Sequence, residues 1–209
     1  DYNLGYAYMK MDDTEAAFRH FSKFVSKNKG SNTPNLADAY NRLGDYYFQK
    51  MKYDQAVENY QQAYNMRIFE ADYALLQIAF CQGLQRKHTE KIDNLNRLLG
   101  DFPQSEYADD ALYELGRANE RLGKNFDAVQ QYQKLVATYP ESSYYRKALL
   151  QLGLINYNNG DYNKALQQYK EVAENYRGTP EAESALLGIK NCYVEQNNVD
   201  EYFAYIRRL

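Results

Sequence analysis

The side chains best suited to chemistry are few and scattered in this sequence of 209 residues. His20 and His88 are far apart, and neither has a His or Cys three or four residues away to complete a metal-binding helix face. Cys81 and Cys192 belong to no Cys-x-x-Cys pair, so we expect two packing residues, with a disulfide as the alternative. The histidines are expected to be solvated surface residues. The sequence therefore predicts no metal site and no cofactor.

Paired acids and short motifs do not indicate a catalytic site either. Asp12-Asp13 and Asp109-Asp110 lie where helices are expected to start, and there free N–H groups and the helix dipole favour acidic side chains. The sequence has no phosphate-binding glycine loop, dinucleotide-binding motif, zinc-protease motif or nucleophile elbow. We expect a protein without enzymatic activity.

Composition and charge exclude further classes of function. The formal net charge is -3, and the short basic run Arg86-Lys87-His88 is too small for a nucleic-acid surface. No run of 18 apolar residues exists, so no integral membrane helix is expected. The chain has 23 Tyr, 9 Phe and no Trp, and this aromatic content is typical of a folded protein. An unusual use of tyrosine is the main feature of the composition.

A repeat organises the sequence. A small residue after Leu or Ile recurs at intervals of 35 to 39 residues, at Gly5, Gly44, Ala79, Gly116, Gly153 and Gly188. In four of these six repeats an alanine follows twelve residues later and an aromatic residue four beyond it, namely Ala17-Phe21, Ala56-Tyr60, Ala128-Tyr132 and Ala165-Tyr169. Each repeat has two apolar stripes at helical spacing, separated by turn residues such as Asn159-Gly160. The pattern predicts helical hairpins, which must stack to bury their apolar faces, with the recurring aromatic residue filling the space between one hairpin and the next.

These residues resemble the tetratricopeptide repeat, a helical hairpin of about 34 residues with the same order of small and large positions. The resemblance implies an all-α fold, a right-handed α-α superhelix (solenoid) of about six stacked hairpins, in a single domain over residues 1–209. The repeats cover approximately 1–33, 34–70, 71–106, 107–143, 144–180 and 181–209. The third departs most, because Lys91 stands at its second small position. In the sixth, the apolar face is shifted by about two residues and comprises Val199, Tyr202, Phe203 and Ile206.

The junctions between repeats carry a narrower resemblance. Phe102-Pro103 and Tyr139-Pro140 each open a polar segment that ends in tyrosine, with a spacing of 37 residues. They are similar to junctions in bacterial cell-envelope repeat proteins, of the Tol–Pal-associated periplasmic type and the outer-membrane barrel-assembly lipoprotein type. This resemblance implies a bacterial periplasmic or cell-envelope location, with the cytoplasm as the alternative.

The resemblance to this family also implies where a partner binds. In such repeats the first helix of each hairpin lines a concave groove that holds a peptide or a partner helix. Tyrosine suits such a surface because it combines a rigid ring with a polar tip. We expect Tyr6, Phe48, Tyr73, Tyr113 and Tyr157 to anchor the partner, with Arg117 and Arg121 pairing its acidic groups. The full set of candidate protein-binding residues is Tyr2, Tyr6, Met9, Asp45, Phe48, Tyr73, Phe80, Tyr113, Arg117, Arg121, Tyr157 and Tyr193.

Other interpretations stay open. Aliphatic residues at inner positions, such as Leu76, Leu150, Leu154 and Ile189, could instead pack into neighbouring helices. The chain could self-associate through the C-terminal end face formed by Tyr202, Phe203 and Ile206, since an uncapped repeat array exposes apolar surface. It could also be the regulatory or recruiting segment of a longer enzyme.

Overall fold

The computed structural model describes residues 1–209 and consists of helices joined by short turns. Its twelve helices confirm the predicted all-α fold of stacked hairpins. They are α1 (Tyr2–Lys10), α2 (Thr14–Asn28), α3 (Pro34–Gln49), α4 (Tyr53–Met66), α5 (Ala71–Leu84), α6 (His88–Asp101), α7 (Ala108–Arg121), α8 (Asn125–Thr138), α9 (Tyr145–Asn158), α10 (Tyr162–Asn175), α11 (Pro180–Glu195) and α12 (Val199–Arg208).

The helices form two compact units, Asp1–Ala111 (unit 1) and Leu112–Leu209 (unit 2), with the boundary inside α7. In unit 1, α1 to α6 pack consecutively, and one core cluster joins Ala17 and Phe21 of α2 to Ala39 and Leu43 of α3. In unit 2, helices α8 to α12 pack in sequence order, and a larger core cluster joins side chains of α9, α10, α11 and α12.

Helix starts follow from local sequence. Thr33 and Thr179 accept hydrogen bonds from the backbone N–H groups of Leu36 and Ala182, and a proline occupies the first helical position after each threonine. Asp13 caps α2 in the same way, by accepting from Ala16 N at 2.9 Å. Proline suits this position because its missing N–H would have no intrahelical partner there. The capping role predicted for Asp12-Asp13 is thus met by Asp13.

Each of the six hairpins turns through one residue with a left-handed backbone. These residues are Asp12, Met51, Arg86, Gly123, Gly160 and Asn197, with φ between 53° and 78°. Only two of the six are glycine, the residue that takes this conformation without strain. The shared turn geometry shows that the hairpin, and not the local residue preference, determines the backbone at this point.

The recurring glycine and the recurring aromatic residue contact each other. A Cβ added at Gly44 would lie 2.5 Å from the ring of Tyr60, and one at Gly153 would lie 2.5 Å from the ring of Tyr169. The sequence predicted that the aromatic fills space between hairpins, but its ring lies against the glycine of its own hairpin. Tyr169 does both, because a Cβ at Gly188 of the next hairpin would also lie 2.5 Å from its ring.

The third and sixth hairpins depart from this pattern in compensated ways. In the third, Leu95 replaces the aromatic ring and is fully buried, so Ala79 fits where the others need glycine. Lys91 is buried, and its Nζ extends to within 3.0 Å of a Cβ built on Gly83, where glycine leaves the space. In the sixth, Tyr205 is the buried residue of α12.

Candidate functional site

The first helices of unit 1 bring together a group of tyrosines, carboxylates and one arginine. Asp38, Arg42 and Asp45 are spaced i, i+4 and i+7 along α3, so they share one helix face. Tyr2 and Tyr6 occupy the facing side of α1, and Tyr73 lies in the first turn of α5. We call the group the tyrosine–carboxylate network, and its members are Tyr2, Tyr6, Asp38, Arg42, Asp45, Tyr60, Glu70 and Tyr73.

Asp38 is the buried centre of one half of the network, with an exposed fraction of 3%. The hydroxyls of Tyr2 and Tyr6 donate to its Oδ2 at 2.6 and 2.5 Å. Arg42 Nε donates to Oδ1 at 3.2 Å. These charge-assisted bonds fix α1 against α3 and hold both rings of the α1 tyrosines in place.

Asp45 organises the other half in the same manner. The hydroxyls of Tyr60 and Tyr73 donate to its Oδ1 at 2.7 and 2.6 Å, and Arg42 Nη1 donates to Oδ2 at 2.7 Å. Because Tyr60 comes from α4 and Tyr73 from α5, this single carboxylate connects three helices. Asp45 therefore has a defined role in the structure in addition to its predicted place on the binding surface.

Glu70 closes the network at its more exposed end. Its Oε2 accepts from Arg42 Nη2 at 3.1 Å, and its side chain is 40% exposed. The residue precedes α5 with a left-handed backbone (φ 44°), which places its side chain back towards α3. The Arg42 guanidinium also lies 5.5 Å from the centre of the Tyr73 ring, a cation–π distance.

The network carries excess negative charge, because three carboxylates surround one guanidinium. Burial raises the pKa of Glu70, and the charges of Asp38 and Asp45 raise it further, against the opposing effect of Arg42. Burial alone would lower the pKa of Arg42, but the carboxylates of Asp45 and Asp38 outweigh it and raise that pKa. With the carboxyls ionised and Arg42 protonated, the formal charge is about -2.

The tyrosines of the network resist ionisation. Burial, followed by the hydrogen bond to Asp38, raises the pKa of Tyr2 to about 12. Burial and the same carboxylate raise the pKa of Tyr6 well above its ordinary value. Burial and Asp45 do the same for Tyr60 and Tyr73. Each phenol therefore remains a hydrogen-bond donor to its carboxylate at neutral pH.

One buried acceptor of α3 is left without a donor. Asn41 lies between Asp38 and Asp45, one helical turn from each, and its exposed fraction is 0%. Its Nδ2 donates to the backbone oxygen of Glu70 at 3.4 Å, but its Oδ1 has no hydrogen-bond partner. Buried polar atoms are nearly always paired in folded proteins, so this oxygen marks an unsatisfied point beside the network.

The other predicted binding residues of unit 1 lie at the margins of the network or beyond it. Met9 is 41% exposed near the end of α1. Phe48 is half-buried, with its ring 5.8 Å from that of Tyr53. Phe80 is half-buried, with Lys91 Nζ 6.0 Å from its ring centre. The structure brings Tyr2, Tyr6, Asp45 and Tyr73 into the network and leaves these three outside it.

The predicted residues of unit 2 form no comparable network. Tyr113 is 9% exposed and stacks on Tyr144 at 4.8 Å, and Tyr193 is 6% exposed and accepts a hydrogen bond from Lys170 Nζ at 2.9 Å. Both rings were expected on an open surface, and packing buries them instead. Three candidates remain at least partly accessible, namely the half-buried Tyr157 and the exposed Arg117 and Arg121.

Sequence reasoning missed three members of the network, Asp38, Arg42 and Glu70, and predicted Tyr60 only as the recurring aromatic residue of its hairpin. The Asp-x-x-x-Arg-x-x-Asp spacing on α3 was the available signal, since it places both charges on one helix face. No such signal existed for Glu70, because its contribution depends on the turn between α4 and α5.

The structure has no group of three or more His, Cys, Asp or Glu side chains that could hold a metal ion. None of its helices is long and apolar enough to cross a membrane. The two cysteines are free and buried, and burial raises the pKa of Cys81 to about 12 and that of Cys192 to about 11. Thiols with such pKa values are poor nucleophiles at neutral pH, which agrees with a packing role.

Comparison with known proteins decides the family. Tetratricopeptide repeat models match residues 1–68 and, in three further repeats, residues 73–105, 110–142 and 147–179. The chain belongs to the tetratricopeptide repeat family. No curated protein sequence matches it.

Solved structures share the fold at low sequence identity. MamA is 18% identical with a TM-score of 0.67, over 90% of this chain and 95% of MamA. A tetratricopeptide repeat protein from Parabacteroides merdae is 18% identical with a TM-score of 0.70, over 98% of this chain and 75% of its own. YrrB, described as a TPR protein with an unusual peptide-binding site, is 20% identical with a TM-score of 0.65, over 85% and 84% of the two chains. These comparisons do not support the narrower resemblance to cell-envelope repeat proteins.

Proposed function

We propose that this tetratricopeptide repeat protein is a non-catalytic scaffold that binds a peptide or a partner helix along the first helices of its hairpins. The tyrosine–carboxylate network carries the proposal. It holds the rings of Tyr2, Tyr6 and Tyr73 in fixed positions while leaving each of them only half-buried. A rigid, partly exposed aromatic surface loses little conformational entropy on binding, which is the property of interface hot spots.

The family supports the same proposal. Repeats of this kind present the first helix of each hairpin to protein partners, and YrrB is a relative in fold that is described as having a peptide-binding site. Phe48 and Met9 extend the proposed surface of unit 1. Within unit 2, Tyr157, Arg117 and Arg121 are the accessible candidates for contact with a partner. For the location, we retain the proposal of a bacterial cell envelope on the basis of the proline junctions alone.

A library of random twelve-residue peptides, displayed on phage and selected on the immobilised chain, tests the proposal. We expect enriched peptides whose binding weakens at least tenfold in Tyr6→Ala and in Tyr73→Ala, measured by fluorescence anisotropy with the synthetic peptides. Tyr8→Ala is the matched control, since Tyr8 is an α1 tyrosine that stacks on His20 of α2 at 5.2 Å, outside the network. Circular dichroism verifies that each variant is folded.

Two outcomes would overturn this function. One is a selection without enrichment above a blank surface. The other is binding that Tyr8→Ala weakens as much as the two network variants do, since the effect would then come from general loss of packing.

Self-association is a second candidate, favoured by the exposed apolar face of α12. Val199, Phe203 and Ile206 are 43%, 55% and 38% exposed. An exposed apolar face of this kind is a known route to contact between protein molecules. Sedimentation equilibrium from 1 to 200 μM (roughly the range of weak self-association) tests it. A monomer throughout, or association unaffected by Phe203→Ser, contradicts it.

A further inference from the structure

We infer that the tyrosine–carboxylate network recognises a cationic side chain, a lysine or an arginine of the bound peptide. This inference rests on the proposed function and specifies its chemistry. It depends on the charge of the network, on an unsatisfied acceptor beside it, and on the arrangement of its aromatic rings.

The charge is the first argument. The network has one guanidinium, that of Arg42, and three carboxylates, those of Asp38, Asp45 and Glu70. Arg42 already directs its Nε, Nη1 and Nη2 atoms to these three carboxylates. Each of the three guanidinium nitrogens of Arg42 therefore already donates to an acid of the network. Glu70 is the carboxylate with the greatest exposure, at 40%, and only one of its oxygens is engaged by Arg42. It is the natural point of contact for a second cation, which would also relieve the repulsion among the acids.

Asn41 provides an independent observation. Its Oδ1 is buried, has no donor, and belongs to a side chain whose Nδ2 already contacts the Glu70 backbone. Asn41 lies one helical turn from Asp38 and from Asp45, so this acceptor belongs to the same face of α3 as both carboxylates. An ammonium or guanidinium group has several N–H donors and can supply the missing one, either directly or through a bridging water.

The rings determine which cation fits. Phenol faces attract organic cations, and Arg42 over Tyr73 shows that a guanidinium is accommodated at this surface. The phenol hydroxyls of the network already donate to Asp38 and Asp45, so Tyr2, Tyr6 and Tyr73 can offer a partner only ring surface and an acceptor oxygen. A metal ion is not supported, because no group of acids is arranged to coordinate one. A lysine or arginine side chain matches both the charge and the rings.

The composition of the selected peptides is the test, combined with two charge-matched variants. We expect Lys and Arg to be enriched at least twofold over the unselected library, and replacement of the basic residue by norleucine or citrulline to weaken binding at least tenfold. Glu70→Gln, which keeps an acceptor for Arg42 and removes the charge, should weaken binding at least fivefold. Glu58→Gln removes the same charge from an exposed position of α4 and should leave the affinity within twofold.

The outcomes separate this inference from the function on which it rests. If the enriched peptides depend on Tyr73 but are acidic or neutral, the recognition of a cationic side chain is wrong. The peptide-binding function would then still stand. The inference would also be overturned if Glu70→Gln and Glu58→Gln weakened peptide binding equally. The attraction of the peptide would then come from the overall charge of the protein and not from the network. Absence of any Tyr73-dependent peptide would overturn both.

Discussion

Arg42 is the residue on which the network depends. Its side chain is 18% exposed and pairs with carboxylates that are 4%, 21% and 40% exposed. Removing one member of such a buried group costs more stability than breaking an ion pair in water, because the remaining charges stay buried without a partner.

Replacing Arg42 by methionine is expected to lower the free energy of unfolding by about 3 kcal/mol, since Asp38 and Asp45 would then be buried without a cation. Urea unfolding monitored by circular dichroism measures the loss. Lys50→Met is the control, because the Lys50–Glu15 pair lies at the surface and its loss should barely move the midpoint. Equal midpoints for the two variants would show that the network does not stabilise unit 1.

Glu70 gives a prediction for pH at the same scale. Its pKa is raised in the folded protein, so the folded state binds the proton more tightly than the unfolded state. Stability should therefore fall as pH rises from the unfolded pKa, about 4.5, through the raised folded value. Glu70→Gln is expected to flatten this part of the stability curve, above the unfolded pKa of about 4.5. If Glu70→Gln leaves the slope of stability against pH unchanged, the raised pKa does not belong to Glu70.

At the scale of the element, the hairpin turns impose a left-handed backbone on residues that do not favour it. Met51 is 75% exposed with φ of 58°, so its side chain contributes little packing to offset the strain. We expect Met51→Gly to stabilise the protein by about 0.5–1 kcal/mol, measured by thermal unfolding. Gly123→Ala is the reverse experiment and should destabilise it, because Gly123 has φ of 71°. A destabilised Met51→Gly would mean that the turn is not strained.

The contact between glycine and the aromatic ring makes a second prediction for the hairpin. Gly44→Ala should lower the free energy of unfolding by about 1–3 kcal/mol through overpacking, because the new Cβ would lie 2.5 Å from the Tyr60 ring. Gly100→Ala in α6 meets no atom within 4 Å and should be neutral or stabilising, since alanine favours helices. Urea unfolding of the two variants tests the register of the helices. Equal stability of both variants would show that this register is wrong.

For the whole molecule, buried tyrosines predict the response to alkali. Burial raises the pKa of Tyr2, Tyr169 and Tyr205 to about 12, from an ordinary value near 10. Because the folded pKa values are raised, their contribution to stability is fully present below pH 10 and is lost as pH rises towards 12. We expect part of the tyrosinate absorbance at 295 nm to appear only together with the loss of helical circular dichroism. Complete ionisation of the tyrosines while the helices remain intact would contradict this.

Much of the fold could be predicted from sequence because the same pattern of residues recurs in most of the hairpins. Gly44 and Tyr60, or Gly153 and Tyr169, recur at fixed spacing, and that spacing is a direct consequence of helical geometry within one hairpin. The departures of the third and sixth hairpins from the repeat pattern, at Lys91 and in α12, were also visible in the sequence. The sequence did not show that Gly83 makes room for Lys91, or that Tyr205 is the buried residue of α12. Such compensation depends on which side chains meet, and spacing along one helix does not give that information.

The sequence by itself determined the hairpins, indicated the family, and gave Tyr2, Tyr6, Asp45 and Tyr73 as candidate binding residues. Only the tertiary structure showed that these side chains converge on Arg42, that Glu70 joins them, and that Tyr113 and Tyr193 are buried. The physical reason is the range of the interactions. Helix periodicity is local and repeats along the chain, whereas the network joins residues up to 36 positions apart, whose meeting depends on how successive helices pack.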